Sequence, residues 1–403
     1  MNILKLVIIF VLVMGLIAKK VPLSLSVLIG SIATWILYLI SIPEGLGCVY
    51  KAILSYDTLR LILVMYLITF LQRMMEKRGA LELARISLSR LFNNRWVNCV
   101  AAPFFIGLLP SPNAAFIAGD MVIASTDDCL TKEQQAVTTS FFRHVSEAFL
   151  PTYNSILMAL TLTGISAGSF VIGMIPMVIV IVLLGMFFFL RGRVPVDAGE
   201  TPSDNKWKDF KNLIIGVWGI FLAIGLVIFA GMDVVYATSI SLVLYYIAHK
   251  FTFAEIKPFF RSAFESRIVF NTCAVMLFKE LLTATGVIKE LPDFFAQFPI
   301  PTFLIFVLIF LFGTIIAGSL AIIVLVLPVA MATVPNAGLP LLILLMSTSY
   351  TAMQVSPTHI CLTLISEYFG VSLGSIIKQT IPVLISFMVI AIGYYLAITT
   401  FFV

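Results

Sequence analysis

Long apolar segments recur along this chain and are separated by short polar stretches. A helix of about 20 apolar residues is long enough to cross a bilayer. The pattern predicts two crossings before Pro43, a third after Thr58, and further crossings up to the C-terminus. The longest polar stretch, Arg191 to Lys211, is typical of a loop. The sequence therefore predicts an all-α polytopic membrane protein without a soluble domain.

Two apolar segments carry a proline next to polar residues near their centre. The segment Ser356–His359 (Ser-Pro-Thr-His) interrupts a run from about Leu339 to Ile365. The segment Leu150–Tyr153 (Leu-Pro-Thr-Tyr) lies 206 positions earlier and interrupts another run. Proline removes a backbone N–H and clashes with the preceding turn, so a helix must break or kink there. We predict two broken helices, at about 133–162 and 339–366.

Two further apolar segments are Trp96–Ser125 and Pro301–Thr333. The length of about 30 residues is too great for one membrane crossing and too small for two. The first has Leu-Pro-Ser-Pro-Asn at its centre, and the second has Ala-Gly-Ser at 317–319. An arm of about 12 residues spans about 18 Å as a helix, which reaches the middle of a bilayer. We predict re-entrant hairpins at about 96–125 and 301–333. The alternative for the first is one kinked, tilted helix.

The second half of the sequence repeats the first at a constant offset. Aligning residues 164–176 with 370–382 gives six identities in 13 positions without a gap. This predicts a first repeat over 1–190, a cytoplasmic linker over 191–211 and a second repeat over 212–403. Each repeat would hold five transmembrane helices, with one hairpin and one broken helix. An odd number of crossings inserts the second repeat in the opposite sense, which makes the repeats inverted.

Charge predicts the orientation. Only 11% of residues are charged, against about 25% in soluble domains, and the net charge is +5. Most basic residues, including Lys19, Lys20 and those between Arg73 and Arg95, fall on one side of the predicted topology. That side should be cytoplasmic, with both termini outside. The positive charge therefore reports topology and does not indicate nucleic-acid binding. The five cysteines are scattered and predict neither a disulfide framework nor a metal site.

Candidate binding residues lie at the hairpin tips and the helix breaks. The N-terminus of a half-helix suits a carboxylate or another oxyanion, and free carbonyls and hydroxyls suit a small cation such as sodium. The simpler alternative is that these hydroxyls only cap half-helices. The predicted substrate- and ion-binding residues are Ser111, Asn113, Thr152, Asn154, Gly318, Ser319, Ser356, Thr358 and His359.

Four ionisable residues within predicted membrane segments are candidates for coupling or proton transfer: Asp120, Arg143, His144 and Glu147. Ionisable groups at such depth usually face the protein interior and often serve transport. His144 and Glu147 are three residues apart and share a helix face. A histidine near its ordinary pKa could carry a proton. The alternatives are a buried ion pair that stabilises helix packing and, for Asp120, a position that reaches cytoplasmic water.

No catalytic motif occurs in a fitting context. The segments at 164–168 and 370–374 match G-x-S-x-G, but a nucleophile elbow needs a preceding strand and here each match opens a membrane helix. HExxH, P-loop and dinucleotide-binding motifs are also missing from the sequence. We therefore expect neither an enzyme nor a cofactor, other than sodium ions that could bind at the hairpin tips.

The segment 356–362 (Ser-Pro-Thr-His-Ile-Cys-Leu), together with 110–113 (Pro-Ser-Pro-Asn), resembles an uncharacterised prokaryotic integral membrane family. The repeat pattern over the whole chain resembles the ion transporter superfamily, which includes divalent anion/sodium symporters, citrate and gluconate permeases and arsenite permeases. This resemblance implies a homodimer with a scaffold and a mobile elevator-like part, in a prokaryotic inner membrane. It also implies connecting helices near Ala80–Phe92 and Thr285–Gln297. The tips depart from the Ser-Asn-Thr of the symporters.

The leading hypothesis is a secondary active transporter of a small anionic, carboxylate-type solute. It would be coupled to sodium or protons and would work by elevator-type alternating access. Its partners would be the solute, the coupling ion, the lipid bilayer and a second copy, with no nucleic acid. One alternative is a cation/proton antiporter on the same fold that uses Asp120, His144 and Glu147. Another is a membrane-embedded enzyme or a non-transporting receptor.

Overall fold

The computed structural model describes residues 2–92, 94–108, 114–195, 203–357 and 359–401. Within these ranges the chain forms α-helices and no β-strand, with short 3₁₀ turns at Val145–Ala148 and Val287–Glu290 and a π-helical turn at Met186–Leu190. The helices are α1 (Asn2–Ala18), α2 (Leu23–Leu37), α3 (Ile42–Leu54), α4 (Tyr56–Lys77), α5 (Ala80–Phe92), α6 (Arg95–Gly107), α7 (Ala114–Thr126), α8 (Lys132–His144), α9 (Asn154–Thr163), α10 (Ala167–Gly185), α11 (Lys206–Phe229), α12 (Val234–Ala248), α13 (Phe253–Ser262), α14 (Ser266–Ala284), α15 (Leu291–Phe295), α16 (Thr302–Ala317), α17 (Ser319–Thr333), α18 (Leu339–Met353), α19 (Ile360–Phe369) and α20 (Leu373–Phe401).

The described helices include several that suit a bilayer. Four helical segments of the described chain are long and apolar enough to cross a membrane, and a bent pair, α14 with the segment from Val287 to Phe295, would add a fifth. Nine shorter apolar helices accompany them. Large apolar side chains such as Leu183 and Val389 are exposed on α10 and α20. Apolar surfaces of this extent need lipid rather than water around them, so the chain is a polytopic integral membrane protein.

The duplicated G-x-S-x-G segments end one helix and start the next. Gly164 closes α9 with a φ of +70°, and Gly370 closes α19 with a φ of +65°. Glycine suits this left-handed conformation because it has no Cβ. Ser166 and Ser372 then accept hydrogen bonds from the backbone N–H three residues on, as N-capping residues do. Both segments are therefore helix-capping devices.

The helices of the predicted hairpins and breaks pack across the two halves of the sequence. Helix α6 packs on α7, and α16 packs on α17. Helix α9, which follows the first break, contacts α17. Helix α19, which follows the second break, contacts α7 and α8. Each break is thus held against helices of the other half. The predicted tip of the first hairpin, residues 109–113, lies outside the described residues.

Helices α5 and α11 approach each other closely at a glycine. A Cβ on Gly216 would lie 2.6 Å from the Ala80 backbone oxygen and 2.8 Å from the Ala84 Cβ. Small residues that let two backbones approach are the usual means of packing helices in membranes. Since α5 is the helix predicted to connect the two parts of a transporter, this contact anchors it to α11.

We expect Gly216→Ala to lower the melting temperature, because the added methyl meets a backbone oxygen that cannot move cheaply. Overpacking of this kind costs about 1–3 kcal/mol, whereas the gain in helix propensity is at most about 1 kcal/mol. Gly225→Ala on the same helix is the control, because its nearest contact would be Phe229 at 3.9 Å. Thermal unfolding of detergent-purified protein should place Gly225→Ala at or above the wild type. Equal melting temperatures for the two variants would contradict the close contact.

Candidate functional site

The two helix breaks meet in the interior of the protein. Helix α8 ends at His144, and the chain continues through a 3₁₀ turn and Pro151 before α9 begins. Helix α18 ends at Met353, and the chain reaches His359 before α19 begins. The Nε2 atoms of His144 and His359 lie 2.9 Å apart, although the two residues are 215 positions apart in sequence. Proline accounts for the interruption of each helix, and the packing of the helices brings the two interrupted segments into direct contact.

The first break is attached to the end of α6. The Ser146 hydroxyl donates to the Gly107 carbonyl oxygen at 2.6 Å, and the Tyr153 hydroxyl donates to the same oxygen. A Cβ on Gly107 would lie 2.2 Å from the Arg143 carbonyl oxygen, so only glycine permits this approach. The carbonyls in the last turn of a helix have no partner within the helix. Side chains of the break supply donors to one of them.

The second break is attached to α16 in a comparable way. The Ser356 hydroxyl donates to the Ile315 carbonyl oxygen at 2.8 Å. Gly318 then separates α16 from α17 with a φ of +84°, a conformation that side chains disfavour. A hydroxyl from each break thus binds a carbonyl near the end of a neighbouring helix.

Buried ionisable residues surround the contact between the breaks. The Arg143 side chain is 2% exposed, and its Nη1 donates to Glu147 Oε1 at 3.1 Å. His144 is fully buried, and its Nδ1–H donates to the Ser140 carbonyl oxygen. A neutral imidazole has one donor and one acceptor nitrogen. The His144 Nε2 is therefore the acceptor, and the His359 Nε2–H is the donor.

A cavity of about 250 Å³ lies between the two breaks and the α16–α17 turn. Five predicted binding residues line it, and they come from both halves of the sequence. The complete lining is Tyr153, Asn154, Ser155, Thr314, Gly318, Ser319, Leu320, Met353, Ser356 and His359.

Three helix N-termini begin at this cavity. Helix α9 starts at Asn154 and α17 at Ser319, both of which line the cavity, and α19 follows directly after His359. None of the three has a side-chain cap hydrogen bond at its N-terminus. Among the described residues, the fully buried Thr314 hydroxyl and the Asn154 Oδ1 have no hydrogen-bond partner. Helix N-termini attract anions, and the Thr314 and Asn154 oxygens at this cavity are available to a solute, an ion or water.

The family match covers almost the whole chain. Residues 2–398 match the model described as "Protein of unknown function (DUF401)". The chain belongs to this family. This match agrees with the resemblance to an uncharacterised membrane family that the sequence motifs indicated. The relation of the chain to the ion transporter superfamily stays a prediction. No curated protein matches the chain.

Two solved structures share the fold of this DUF401 protein. The YdaH transporter of Alcanivorax borkumensis has a TM-score of 0.60 and 13% identity, over 88% of each chain. MtrF of Neisseria gonorrhoeae, described as one of a class of antimetabolite efflux pumps, has a TM-score of 0.53 and 12% identity. That match covers 88% of this chain and 83% of MtrF. At these identities the likeness concerns the fold alone.

The remaining predicted residues of this DUF401 protein lie in different places. Thr152 is half-buried with an unpartnered hydroxyl and does not line the cavity. Asp120 is exposed and accepts a hydrogen bond from the Tyr368 hydroxyl. Arg143, His144 and Glu147 do not line the cavity, and His144 contacts the lining residue His359. The predicted residues outside the described ranges are Ser111, Asn113 and Thr358.

Sequence reasoning missed several lining residues. Thr314 lies one helical turn before the Gly318 tip, and that spacing could have pointed to it. Tyr153 follows the predicted break directly, and Ser155 comes two residues later. For Leu320 and Met353 the sequence holds no polar signal.

We expect Ser146→Ala and Tyr153→Phe each to destabilise this DUF401 protein by about 1 kcal/mol, the usual loss for one hydrogen bond. The double variant should lose more than the sum, because the Gly107 oxygen then has neither side-chain donor. Ser386→Ala, which removes an exposed hydroxyl bonded to the Pro382 carbonyl, is the control and should change little. Denaturant unfolding in detergent measures all four variants. Additive losses would show that the shared carbonyl does not couple the two side chains.

Proposed function

We propose that the protein is a secondary active transporter of a small anionic solute of carboxylate type, driven by a sodium or proton gradient. The observation that carries this proposal is the cavity at which three helix N-termini begin. Each N-terminus contributes a partial positive charge and backbone N–H groups without intrahelical partners. Each is worth about 0.3–1 kcal/mol to a nearby anion, and up to about 2 kcal/mol when partly buried. Three together favour a carboxylate by several kcal/mol.

The size of the cavity limits the solute. Its volume is about 250 Å³, a little below the usual range of about 300–1,000 Å³ for small-molecule sites. A solute of similar bulk is a small organic acid rather than a peptide or a lipid. The unpaired oxygens of Thr314 and Asn154 would accept hydrogen bonds from a solute hydroxyl or ligate a sodium ion.

We propose that transport proceeds by alternating access between two inverted repeats. In this mechanism the pairs α6/α7 and α16/α17 are re-entrant hairpins from opposite faces, and they move with the broken helices as an elevator. The contact of α9 with α17 and of α19 with α7 supports joint movement, since each break is packed on a hairpin arm of the other repeat. The fold shared with the YdaH transporter and with the MtrF efflux pump supports a transport function. We also propose that the protein is a homodimer in a prokaryotic inner membrane and that both termini lie outside.

A ligand screen tests the function. Detergent-purified protein is heated with small mono-, di- and tricarboxylates, with and without sodium, and the melting temperature is recorded. A ligand at 100 times its Kd stabilises the folded state by about 2.7 kcal/mol. We expect at least one carboxylate to raise the melting temperature, whereas amines and sugars of equal size should not. The hit is then tested for uptake into proteoliposomes under an imposed sodium or proton gradient. If no acid binds and the protein only exchanges cations, the antiporter hypothesis replaces this one.

We expect Thr314→Val to weaken binding of that carboxylate about 5- to 10-fold without lowering the stability of the solute-free protein. In the described part of the chain the hydroxyl has no protein partner, so its removal should affect only the bound solute or its sodium ion. Thr348→Val is the matched control, because Thr348 is equally buried but donates to the Leu344 carbonyl oxygen and does not line the cavity. That variant should lose stability and keep the wild-type affinity. Unchanged affinity in Thr314→Val would remove this hydroxyl from the binding site.

A further inference from the structure

A cluster of four potential metal ligands lies behind the cavity wall, where the two breaks touch. It consists of the side chains of His144, Glu147, His359 and Cys361. One ligand atom from each residue lies within 4.8 Å of all the others. We propose that this cluster binds a zinc ion, or another late first-row divalent metal, and that the metal joins the two broken helices. The proposal does not depend on which solute the cavity takes.

The donor set selects the metal. Two imidazole nitrogens, a thiolate and a carboxylate oxygen form a four-coordinate set of the kind that zinc prefers. Sodium, magnesium and calcium favour oxygen ligands, so a site with a cysteine and two histidines discriminates against them. Tetrahedral zinc holds two nitrogen ligands about 3.3 Å apart. The two Nε2 atoms are 2.9 Å apart and share a hydrogen bond that the metal would replace. His359 would then carry its proton on Nδ1 and present the Nε2 lone pair to the metal. The four ligand atoms, which now lie within 4.8 Å of one another, would have to draw together by about 1 Å.

Neighbouring groups already orient the ligands. The His144 Nδ1–H donates to the Ser140 carbonyl oxygen, so the Nε2 lone pair points toward His359 and the cluster. Arg143 donates to Glu147 Oε1 and also hydrogen-bonds Cys361. Metal-bound histidines and carboxylates commonly have such outer hydrogen-bonding partners, which hold them in place. These contacts restrict the ligand side chains before any metal binds.

The charges of the cluster are compatible with a divalent ion. When the metal binds, Cys361 releases its proton to solvent and becomes a thiolate. The thiolate and Glu147 then carry two negative charges, against two on the metal and one on Arg143. The remaining single positive charge lies beside His359, which lines the cavity. A bound metal would therefore also favour an anion in that cavity.

The origin of the ligands gives the metal a structural role. His144 ends α8 and Glu147 lies in the 3₁₀ turn, so both belong to the first break. His359 precedes α19 and Cys361 lies in its first turn, so both belong to the second break. A metal bound by all four would cross-link segments that are otherwise joined by side-chain contacts alone. It would hold the wall of the cavity in one arrangement.

Cobalt(II) titration of the full-length, chelator-treated protein tests the proposal. Tetrahedral cobalt bound to a thiolate absorbs strongly in the near-ultraviolet and visible range, and zinc should abolish this absorption by displacement. We expect one cobalt per chain in the wild type. Cys361→Ser should lose the thiolate band and weaken binding at least about 100-fold, since loss of even an outer hydrogen-bonding partner costs about 10–100-fold. His359→Asn should also weaken binding.

Two variants are matched controls. Cys129 is half-buried like Cys361 but is outside the cluster, and His249 packs against Trp218 and Tyr245. Cys129→Ser and His249→Asn should keep the wild-type spectrum. If Cys361→Ser retains the thiolate band, or if the wild type shows none, the proposal is wrong.

A second measurement avoids any dependence on the stability of the variants. The wild-type protein is alkylated with a thiol reagent in the presence and absence of zinc, and modification of each cysteine is quantified by mass spectrometry. We expect zinc to slow modification of Cys361 at least tenfold and to leave Cys129 unchanged. Equal protection of both cysteines, or protection of neither, would overturn the proposal.

Discussion

A helix that breaks inside an apolar bundle exposes backbone N–H and C=O groups that water cannot reach. Each unsatisfied group costs several kcal/mol in such surroundings, so each break must come with its own partners. The Gly107 oxygen has two donors from the first break, and the Ile315 oxygen has one from the second. The N-termini of α9, α17 and α19 have no side-chain cap, and they begin at one cavity. These hydrogen bonds attach each break to the last turn of a neighbouring helix, and the candidate site lies where the uncapped N-termini converge.

The positions of the breaks could be predicted because proline and glycine act locally. Proline removes a donor wherever it stands, and Pro151 lies between α8 and α9 as its sequence context indicates. Gly318 separates α16 from α17 within the predicted tip at 317–319. The predicted binding residues Asn154, Ser319 and Ser356 line one cavity for the same reason, since they flank these local interruptions.

The contacts between the two halves could not be predicted from one sequence. Nothing in local spacing indicates that His144 and His359 touch, because their approach depends on how distant helices pack. For the same reason Cys361 looks isolated in the sequence, although the fold places it beside two histidines and a glutamate. For Asp120 the sequence context suggests burial and the structure shows exposure. Asp120 lies among apolar residues in sequence, yet its helix face is exposed.

The two halves of the sequence, which resemble each other at an offset of 206, do not carry the same chemistry. At an offset of 206, Arg143 corresponds to Ser349 and His144 to Tyr350, so the ionisable pair has no counterpart in the second break. Tyr153 corresponds to His359, and the two side chains bind different partners. Tyr153 binds the Gly107 carbonyl of α6, whereas His359 reaches across to His144.

The charged side chains therefore come from the first break, while the glycine turn and the unpaired Thr314 hydroxyl come from the second half. The described part of the site thus draws on both halves of the sequence and forms a composite site at the junction of the breaks.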